Sequence, residues 1–553
     1  MDSLAQSVLA PLIRLSDLRD QGITLCQSLD DDNRSSLQEV PALYLVQPSK
    51  ENILRICQEM RSGFYNQYLL NFVTSIDREQ LERLAEAAAA SGLHNRVPQV
   101  MDQYMHFACI EGNLFTVPMM TDSYSKMRNE RETLIHLVVE TLYCVLISIG
   151  GSMPVILATG PLSSLIASRL DARLRDLMTS TKSEKLNEDN QAMFPSHLQR
   201  PILHLLERDL DLLSPLLHPS SYNALLHEFI GIKNNVIRSG DKDYDLECEE
   251  DAFWAEHSHE DFPEATKALD TSLQQYRQEH QQITRKTGGK DLSDANSLTA
   301  EELKLAINVV PELTRRKRTI DNHIQLSSQI LAELQKRHWE LLHAPEHEFL
   351  ANGDLEKLER TLTNPELNIT DKVRMYLVAL LSGKLSEEHH QRLEQNLMKQ
   401  GADMKAINLL QSRRAPTSPK PNTSESSSAQ LFSRMTRLVN NFLDTASSSG
   451  NLITRFADQA LETLGVQRGT PNQEYLIYDP LQSDSQPQRP PRQYTNLTSS
   501  AYSAYIPFMI GGLSYDEFNA LKEWSEKKNF GLVVGTTEMI SGPQLLAQLS
   551  LQQ

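Results

Sequence analysis

Short apolar runs alternate with helical patterns over the first part of the chain. Pro41–Val46 and Tyr68–Ile76 are apolar runs that predict strands. Lys50–Arg61 carries apolar residues at helical spacing, and Arg78–Ala90 is rich in strong helix formers. Strands that alternate with helices are typical of an α/β domain with a parallel sheet, and we assign residues 1–112 to such a domain.

The same alternation continues through residues 113–218 and returns in residues 466–553, so a second α/β domain is predicted in two parts. Leu134–Gly151 is the most apolar stretch of the chain, but Glu140 interrupts it. It is also shorter than the roughly 20 residues that cross a bilayer. We therefore expect a buried helix. Pro201–Leu206 predicts a buried strand.

Helical patterns dominate between residues 219 and 465, where no strand is predicted. Thr266–Arg285 and Leu298–Gln335 indicate a helical hairpin with Pro311 inside its second arm. An interior proline costs about 3 kcal/mol unless a kink or hinge is intended. The acidic run Lys242–Glu250 predicts an exposed loop. The fold class that follows is α/β with a large helical insertion.

Two apolar stripes stand near the end of the helical region. The preceding stretch Gln411–Ser428 has no apolar periodicity and predicts disorder. Two amphipathic helices on such a tether have to dock on the helical bundle or on a membrane surface. The first stripe consists of Leu431, Phe432, Met435, Leu438, Val439, Phe442 and Leu443, and the second of Leu452, Ile453, Phe456, Ala460, Leu461 and Leu464.

The composition argues against some kinds of protein function. The 553 residues carry a formal net charge of -18, which argues against a nucleic-acid-binding protein. Five cysteines are scattered without a CxxC pair, as is typical of reduced thiols in the cytosol. Met1 is followed by Asp2 rather than by a basic and apolar leader, so no signal peptide is expected.

Motifs of catalysis are not found. The chain contains no GxxxxGK[ST], GxGxxG, HExxH or GxSxG. His343 and His347 have helical spacing, but Pro345 between them argues against a regular helix. We expect no catalytic, cofactor or metal site. One alternative stays open: Asp209 and Asp211 form a DxD pair that a metal-dependent nucleotide-sugar transferase would use, given a third oxygen ligand.

The segment Arg200–Arg238 combines a strand, a charged turn and an amphipathic helix. Pro215 and Pro219 forbid a continuous helix across the turn. Arg208 and Asp211 predict a salt bridge that ties domains together, rather than a catalytic pair.

This segment resembles the signature of the SM family (Sec-one/Munc-eighteen proteins), which bind SNAREs during membrane fusion. The family pattern is an aspartate–arginine pair, a second aspartate, Ser/Thr-Pro-Leu, a histidine and a Tyr-x-x-Leu helix. Glu207 and Glu228 stand where the family usually has aspartate. Landmarks from Phe253 onward narrow the resemblance to the ER–Golgi, Sly-one branch. The matching signature residues are Arg208, Asp211, Ser214, Pro215, Leu216, His218, Tyr222, Ala224, Leu225 and His227.

The resemblance implies an SM-type arch of parallel-sheet domains plus an all-helical domain. It also implies a non-enzymatic, monomeric protein that chaperones SNARE assembly at ER and Golgi membranes, with peripheral membrane contact. The implied partners are a syntaxin-type Qa-SNARE, the assembled SNARE complex and tethering factors.

Three sets of residues are implied as binding surfaces. The set for the syntaxin peptide is a Leu/Ala stripe, and such a stripe is also typical of a helix that packs into a core. By position, a syntaxin N-terminal peptide would contact Leu81, Leu84, Ala85 and Val97; SNARE helices would lie against Pro311, Leu313, Ile320 and Ile324; and a regulatory lid that also contacts membranes would use Leu431, Phe432, Met435, Leu438 and Phe442.

The amino terminus departs from the family pattern. The family opens with a strand before the segment that matches Leu9–Ser16, and this chain starts just after that strand. Because the strand is central in the family's sheet, its absence is expected to leave two unpaired edges.

Deletion of Ala429–Leu464 tests the lid hypothesis. We expect the deletion to raise the rate of SNARE complex assembly in a reconstituted assay, because the SNARE groove is uncovered. Unchanged activity together with lost folding would contradict a lid.

Overall fold

The computed structural model describes residues 1–92, 95–150, 153–184, 200–240, 242–246, 251–286, 300–414, 451–470, 472–482, 486–490 and 502–551. These residues form two compact units. Unit 1 consists of Met1–Asp211, Gly450–Leu513 and Ala520–Met539, and unit 2 of Leu212–Ser449, Ser514–Asn519 and Ile540–Gln553.

The strands, in chain order, are β1 Leu37–Val46, β2 Tyr65–Phe72, β3 Gln99–Asp102, β4 Ala108–Glu111, β5 Leu114–Thr116, β6 Val155–Ala158, β7 Arg200–Glu207, β8 Val236–Ser239, β9 Lys242–Asp245, β10 Leu476–Tyr478, β11 Tyr502–Ile510, β12 Gly531–Leu532 and β13 Val534–Thr536.

The helices are α1 Ser3–Leu9, α2 Leu15–Asp20, α3 Lys50–Arg61, α4 Arg78–Ala90, α5 Ser123–Asn129, α6 Arg131–Ser148, α7 Pro161–Glu184, α8 Tyr222–Phe229, α9 Ala252–His257, α10 Phe262–Lys286, α11 Ala300–Lys336, α12 Glu340–Asn352, α13 Leu355–Thr363, α14 Ile369–Leu381, α15 Glu387–Lys399, α16 Lys405–Arg414, α17 Leu452–Thr463, α18 Tyr515–Lys528 and α19 Gly542–Ser550.

The first sheet of unit 1 is parallel, with strand order β1-β2-β3. Alternate residues of β2, including Tyr68, Leu70 and Phe72, face a core that α3 and α4 complete. Ile53 of α3 and Leu84 of α4 are buried there. The predicted strand–helix alternation of this region is confirmed.

The expectation that this domain lacks the family's opening strand, with two unpaired edges left behind, stays a prediction. β1 pairs directly with β2 in a register that runs from Leu37 opposite Tyr65 to Val46 opposite Phe72. The described sheet is therefore continuous from β1 to β3. β1 and β3 are its two outer strands.

The second sheet of unit 1 has the order β10-β6-β7-β11-β13-β5-β4, with β12 beside β11. Its centre is the parallel pair β7 and β11, in which Leu203 lies opposite Ile506 and Leu205 opposite Phe508. These side chains are almost inaccessible to solvent. The sheet therefore joins strands from before and after the long helical stretch.

The apolar run that begins at Leu134 forms the buried helix α6, as predicted. Within the described part of the chain, no helix is both long enough and apolar enough to span a bilayer.

Unit 2 is mainly helical, but the prediction that it lacks strands is wrong. β8 and β9 form an antiparallel hairpin, so the first half of the predicted acidic loop is a strand. Tyr244 is buried and its hydroxyl donates to Gln325, and this tertiary contact outweighs the weak strand propensity of the acidic sequence.

The inference that Pro345 prevents a regular helix is also wrong, because α12 continues through it. A proline leaves the carbonyl four residues earlier without its helical donor. That carbonyl belongs to Leu341, a residue that is 38% exposed. The two predicted arms of the hairpin are confirmed as α10 and α11, with Pro311 inside α11.

The structure describes the second of the two apolar stripes predicted to form a lid, but not the first. Residues Leu431 to Phe442 lie outside the described part of the chain. The second stripe forms α17, whose apolar face is buried in unit 1. This helix is part of a core rather than of a lid, so a deletion that tests the first stripe alone has to end before Asn451.

Candidate functional site

The signature segment begins where β7 ends in unit 1. Arg208 is fully buried, its Nη1 donates to the carbonyl of Gly512 at 3.1 Å, and its Nη2 lies 3.5 Å from Asp211. The predicted ion pair is thus present, within one unit. Gly511 has a φ of +101°, and a Cβ there would lie 2.7 Å from the Cβ of Arg208. Only glycine fits this approach.

The two carboxylates of the DxD pair have separate protein partners. Asp209 accepts a hydrogen bond of 2.8 Å from the Tyr124 hydroxyl and lies 3.7 Å from Arg128. Asp211 faces Arg208 instead. No group of three or more His, Cys, Asp or Glu residues in the described ranges is arranged to hold a metal ion. A DxD metal site would need such a third ligand.

In unit 2 the signature turn is held by a buried guanidinium. Arg374 Nε donates to the carbonyl of Leu216 at 2.6 Å, its Nη2 donates to the carbonyl of Leu217, and its Nη1 donates to Glu228 at 2.6 Å. Gly542 packs so closely on Arg374 that a Cβ would lie 2.3 Å from the guanidinium carbon. The Ser-Pro-Leu turn is thereby tied to the centre of unit 2.

Burial alone would lower the pKa of the Arg374 guanidinium. The carboxylates of Glu228, Glu346 and Asp371 hold this pKa above its usual value, so the side chain stays charged. Charge neutralisation of this kind is what makes a fully buried arginine tolerable.

His218 joins the same network. Its backbone N–H donates to Glu346 Oε1 at 2.8 Å, and its Nδ1 lies 2.8 Å from Glu346 Oε2. Burial would raise the pKa of the Glu346 carboxyl, but His218 and Arg374 hold it below its usual value. The Trp339 ring packs edge-on against His218, and its indole N–H donates to the carbonyl of Pro219.

The helix that follows the turn is anchored by a second chain of polar contacts. The Tyr222 hydroxyl lies 2.9 Å from His323 Nδ1, and His323 Nε2 lies 2.8 Å from Asp251. Asp251 also caps α9. The Ser221 hydroxyl donates to Asp516 at 2.5 Å. Of the signature residues, Ser214 alone is half-buried; Arg208, Asp211, Pro215, His218, Tyr222 and Leu225 are buried.

The residues predicted to bind a syntaxin peptide lie on and after α4. Leu81 is 41% exposed and Ala85 is exposed, whereas Leu84 belongs to the core and Val97 packs against it. The structure thus leaves part of the predicted set accessible.

Two further apolar side chains, Val100 and Met101, are exposed on the outer strand β3. Sequence reasoning missed both, because a four-residue strand is too short to show a pattern.

The predicted SNARE groove lies on α11, beside α10. Leu313 and Ile320 are buried, Ile324 is half-buried and Pro311 is exposed. The two arms are linked by an ion pair of 3.0 Å between Arg316 and Glu279. A partner helix could reach Leu313 and Ile320 only if the packing around α11 changes, so this surface stays a prediction.

Sequence reasoning missed Arg374, Glu346, His323 and Asp516. Each lies more than 100 residues from its signature partner, so no local pattern joins them. One signal was present: Arg374 interrupts the apolar run of α14, a helix that is buried on all sides. A charge within such a run indicates a buried ionic contact.

The family model described as Sec1 family matches residues 1–548. A rice relative (Oryza sativa subsp. japonica) named SEC1 family transport protein SLY1 is 29% identical over 574 residues, which cover 100% of this chain and 90% of the relative.

Two solved structures share the fold. One is Sly1p in complex with an N-terminal peptide of Sed5p, with a TM-score of 0.79 and 24% identity over 99% of this chain and 90% of that chain. The other is the SM protein Vps45 in complex with the Qa SNARE Tlg2, with a TM-score of 0.71 and 19% identity over 99% of this chain and 93% of that chain. The predicted SM-type fold is thereby confirmed.

Arg374→Met removes the central cation of the network and leaves Glu228 and Glu346 buried without it. We expect a loss of about 3–5 kcal/mol of stability, because an unpaired buried charge is costly. Thermal unfolding followed by circular dichroism measures it. Arg360→Met is the control, since this exposed arginine pairs with Glu356 on the helix surface and its loss should cost about 0.5 kcal/mol or less. An equal loss of stability in the two variants would contradict the central role of Arg374 in the network.

Asp516→Asn tests the half-buried carboxyl that Ser221 contacts. Burial raises the pKa of Asp516 to about 6. Ionisation of this carboxyl is therefore less favourable in the folded protein than in the unfolded chain, and it lowers the free energy of unfolding at higher pH. The cost is absent below the usual aspartate pKa of about 4 and complete above pH about 6. We expect the variant to melt at a higher temperature than the wild type at pH 7.5, with the difference closing toward pH 4. The exposed control Asp321→Asn should differ from the wild type in melting temperature by an amount that does not change with pH. The same pH-independent difference for Asp516→Asn would contradict a raised pKa.

Proposed function

The chain belongs to the Sec1 family, and from that premise we propose that it binds a syntaxin-type Qa-SNARE and assists SNARE complex assembly in vesicle docking and fusion. One observation carries the proposal. The fold of this chain matches, over nearly its whole length, a protein whose structure holds an N-terminal peptide of Sed5p. The Vps45 structure, with its Qa SNARE, supports the same class of partner.

We infer that transport between the ER and the Golgi is the step served, because the curated relatives with the SLY1 name align over the full chain. The protein would act at ER and Golgi membranes by peripheral contact and through its partners, with tethering factors among them.

The action is that of a scaffold. Ordering a flexible SNARE segment costs conformational entropy, and a surface that holds it in the assembly geometry lowers the cost of the next step. The signature residues suit this role because nearly all of them are buried in the interior. The charged side chains of the signature and of the residues around it are engaged within the chain, as Arg208 is with Asp211 and Arg374 with Glu228. A non-enzymatic role is part of the proposal.

Two separate surfaces bind the two parts of the SNARE in this proposal. The exposed part of α4, with Leu81 and Ala85, takes the N-terminal peptide of the Qa-SNARE. The hairpin of α10 and α11 takes the SNARE helices. Arg315, Lys317 and Arg318 are exposed on α11, and this charge suits acidic SNARE helices.

The proposal is tested by binding of the purified chain to the cytosolic segments of ER–Golgi Qa-SNAREs, with endosomal Qa-SNAREs as the comparison. Selective, saturable binding to the ER–Golgi set is expected. Failure to bind any Qa-SNARE, together with metal-dependent turnover of a nucleotide sugar, would overturn it in favour of the transferase.

Leu81→Glu combined with Ala85→Glu tests the α4 surface. We expect at least a tenfold loss of affinity for the Qa-SNARE N-terminal peptide, since two charges are placed where apolar contact is needed, as measured by fluorescence anisotropy. The matched control is Met398→Glu, which alters an apolar side chain of similar exposure on α15, in unit 2. Unchanged peptide affinity in the double variant would place the site elsewhere.

A further inference from the structure

The outer part of the hairpin of α10 and α11 has few buried side chains. It consists of residues 270–282 of α10 and 311–319 of α11. Leu313 is the one buried residue in these two ranges. A stretch with so few buried apolar contacts opens locally at a small cost in free energy. Each polar contact between the two arms therefore has a large effect on whether this part of the hairpin stays closed.

The inner part of α11 is anchored more firmly. His323 bonds to Tyr222 and, through its other ring nitrogen, to Asp251. Gln325 accepts a hydrogen bond of 2.8 Å from the Tyr244 hydroxyl of the β8–β9 hairpin. Local opening is thereby confined to the outer part. The buried residues of the inner part stand at helical spacing and are Ile320, His323, Leu326 and Ile330.

Arg316 crosses between the two arms in the outer part. Its Nη1 donates to the two carboxylate oxygens of Glu279 at 3.0 and 3.2 Å, and its Nη2 donates to Gln275 at 3.2 Å. Gln275 and Glu279 lie about one turn apart on α10. A single exposed ion pair contributes little to stability, but a guanidinium that bonds two groups on the facing helix lies at the stronger end of the range.

Arg316 lies between two of the residues predicted to contact SNARE helices. Leu313 precedes it by three positions and Ile320 follows it by four, so the three side chains share one face of α11. Because Arg316 bonds to α10, this face is turned toward α10. Leu313 is 9% exposed and Ile320 is 3% exposed. In the closed hairpin α10 thus covers the surface that a SNARE helix would need.

We propose that Arg316, Gln275 and Glu279 form a latch that holds α10 over the SNARE-helix surface of α11. When the latch breaks, the outer part of α10 moves away and Leu313 becomes accessible. The use of the latch rests on the SNARE binding proposed above, whereas the latch itself rests on the hydrogen bonds of Arg316.

The partner that opens the latch is an acidic helix. A carboxylate of the partner replaces Glu279 on Arg316, so that binding itself releases α10. Arg315, Lys317 and Arg318 stand next to this position and are exposed. Their charge attracts an acidic helix and repels a basic one.

Hydrogen exchange of the backbone amides, followed by mass spectrometry on the full chain, tests the latch without any SNARE. Arg316→Glu places two carboxylates opposite each other, and the amides of residues 312–319 should exchange about fivefold faster. Glu279→Gln removes one charge of the pair and should speed their exchange about threefold. Amides of residues 322–330 should keep the wild-type rate in both variants, because the inner part stays anchored.

Two further variants separate the latch from a general effect of charge. Arg316→Glu combined with Glu279→Arg restores the ion pair in reverse, and exchange should return to within about twofold of the wild type. Arg277→Glu is the matched control, since it makes the same change of charge at an exposed position of α10 near Glu279. It should leave the exchange of α11 unchanged.

SNARE binding is measured with Glu279→Gln, because this variant leaves every side chain of α11 in place. Its affinity for the cytosolic segments of ER–Golgi SNAREs should rise about threefold, since the apparent affinity follows the fraction of chains whose binding surface is open. Faster exchange without a gain in SNARE affinity would overturn the covering role of α10.

Three exchange results would overturn the latch. The first is an unchanged rate in Arg316→Glu. The second is a rate that rises equally at residues 322–330, which would indicate a general loss of stability. The third is a charge-swapped variant that exchanges as fast as Arg316→Glu alone. Absence of SNARE binding by every variant and by the wild type, with exchange as expected, would instead contradict the proposed function while supporting the latch.

Discussion

A positive charge in the centre of unit 2 constrains much of what surrounds it. Arg374 is buried in a helix that is itself buried on all sides, and a lone guanidinium there would be untenable. Glu228 and the carbonyls of Leu216 and Leu217 satisfy it, and Glu346 extends the network to His218. The conformation of the signature turn follows from this requirement, and so does the absence of a side chain at Gly542.

Arg208 in unit 1 repeats the arrangement on a smaller scale, with Asp211 and the carbonyl of Gly512 as partners. Charged groups used this way are engaged with one another inside each unit. The surfaces proposed to meet a partner lie elsewhere, on α4 and on the hairpin of α10 and α11. A rigid interior that presents separate surfaces is suited to a protein that aligns flexible partners.

Much of the fold was accessible from the sequence, because many of its elements have strong local patterns. The bounds of α3 and α4 were predicted to the residue, since helix-forming composition and apolar spacing agree there. The hairpin β8–β9 was missed because its sequence is acidic and its stability comes from tertiary contacts of Tyr244. The helix through Pro345 was missed because the tolerance of a proline depends on the exposure of a carbonyl four residues away. The partners of His218 and Tyr222 were missed because they are distant in sequence and meet only in the folded chain.

The central claim is that surfaces of this Sec1-family chain hold SNAREs in a geometry that favours their assembly. The most direct measurement is the rate at which labelled ER–Golgi SNARE cytosolic segments form a complex, followed by energy transfer, as the purified chain is added. The account predicts a rate that rises and saturates at one chain per Qa-SNARE. A rate that does not change at any concentration of folded chain would contradict it.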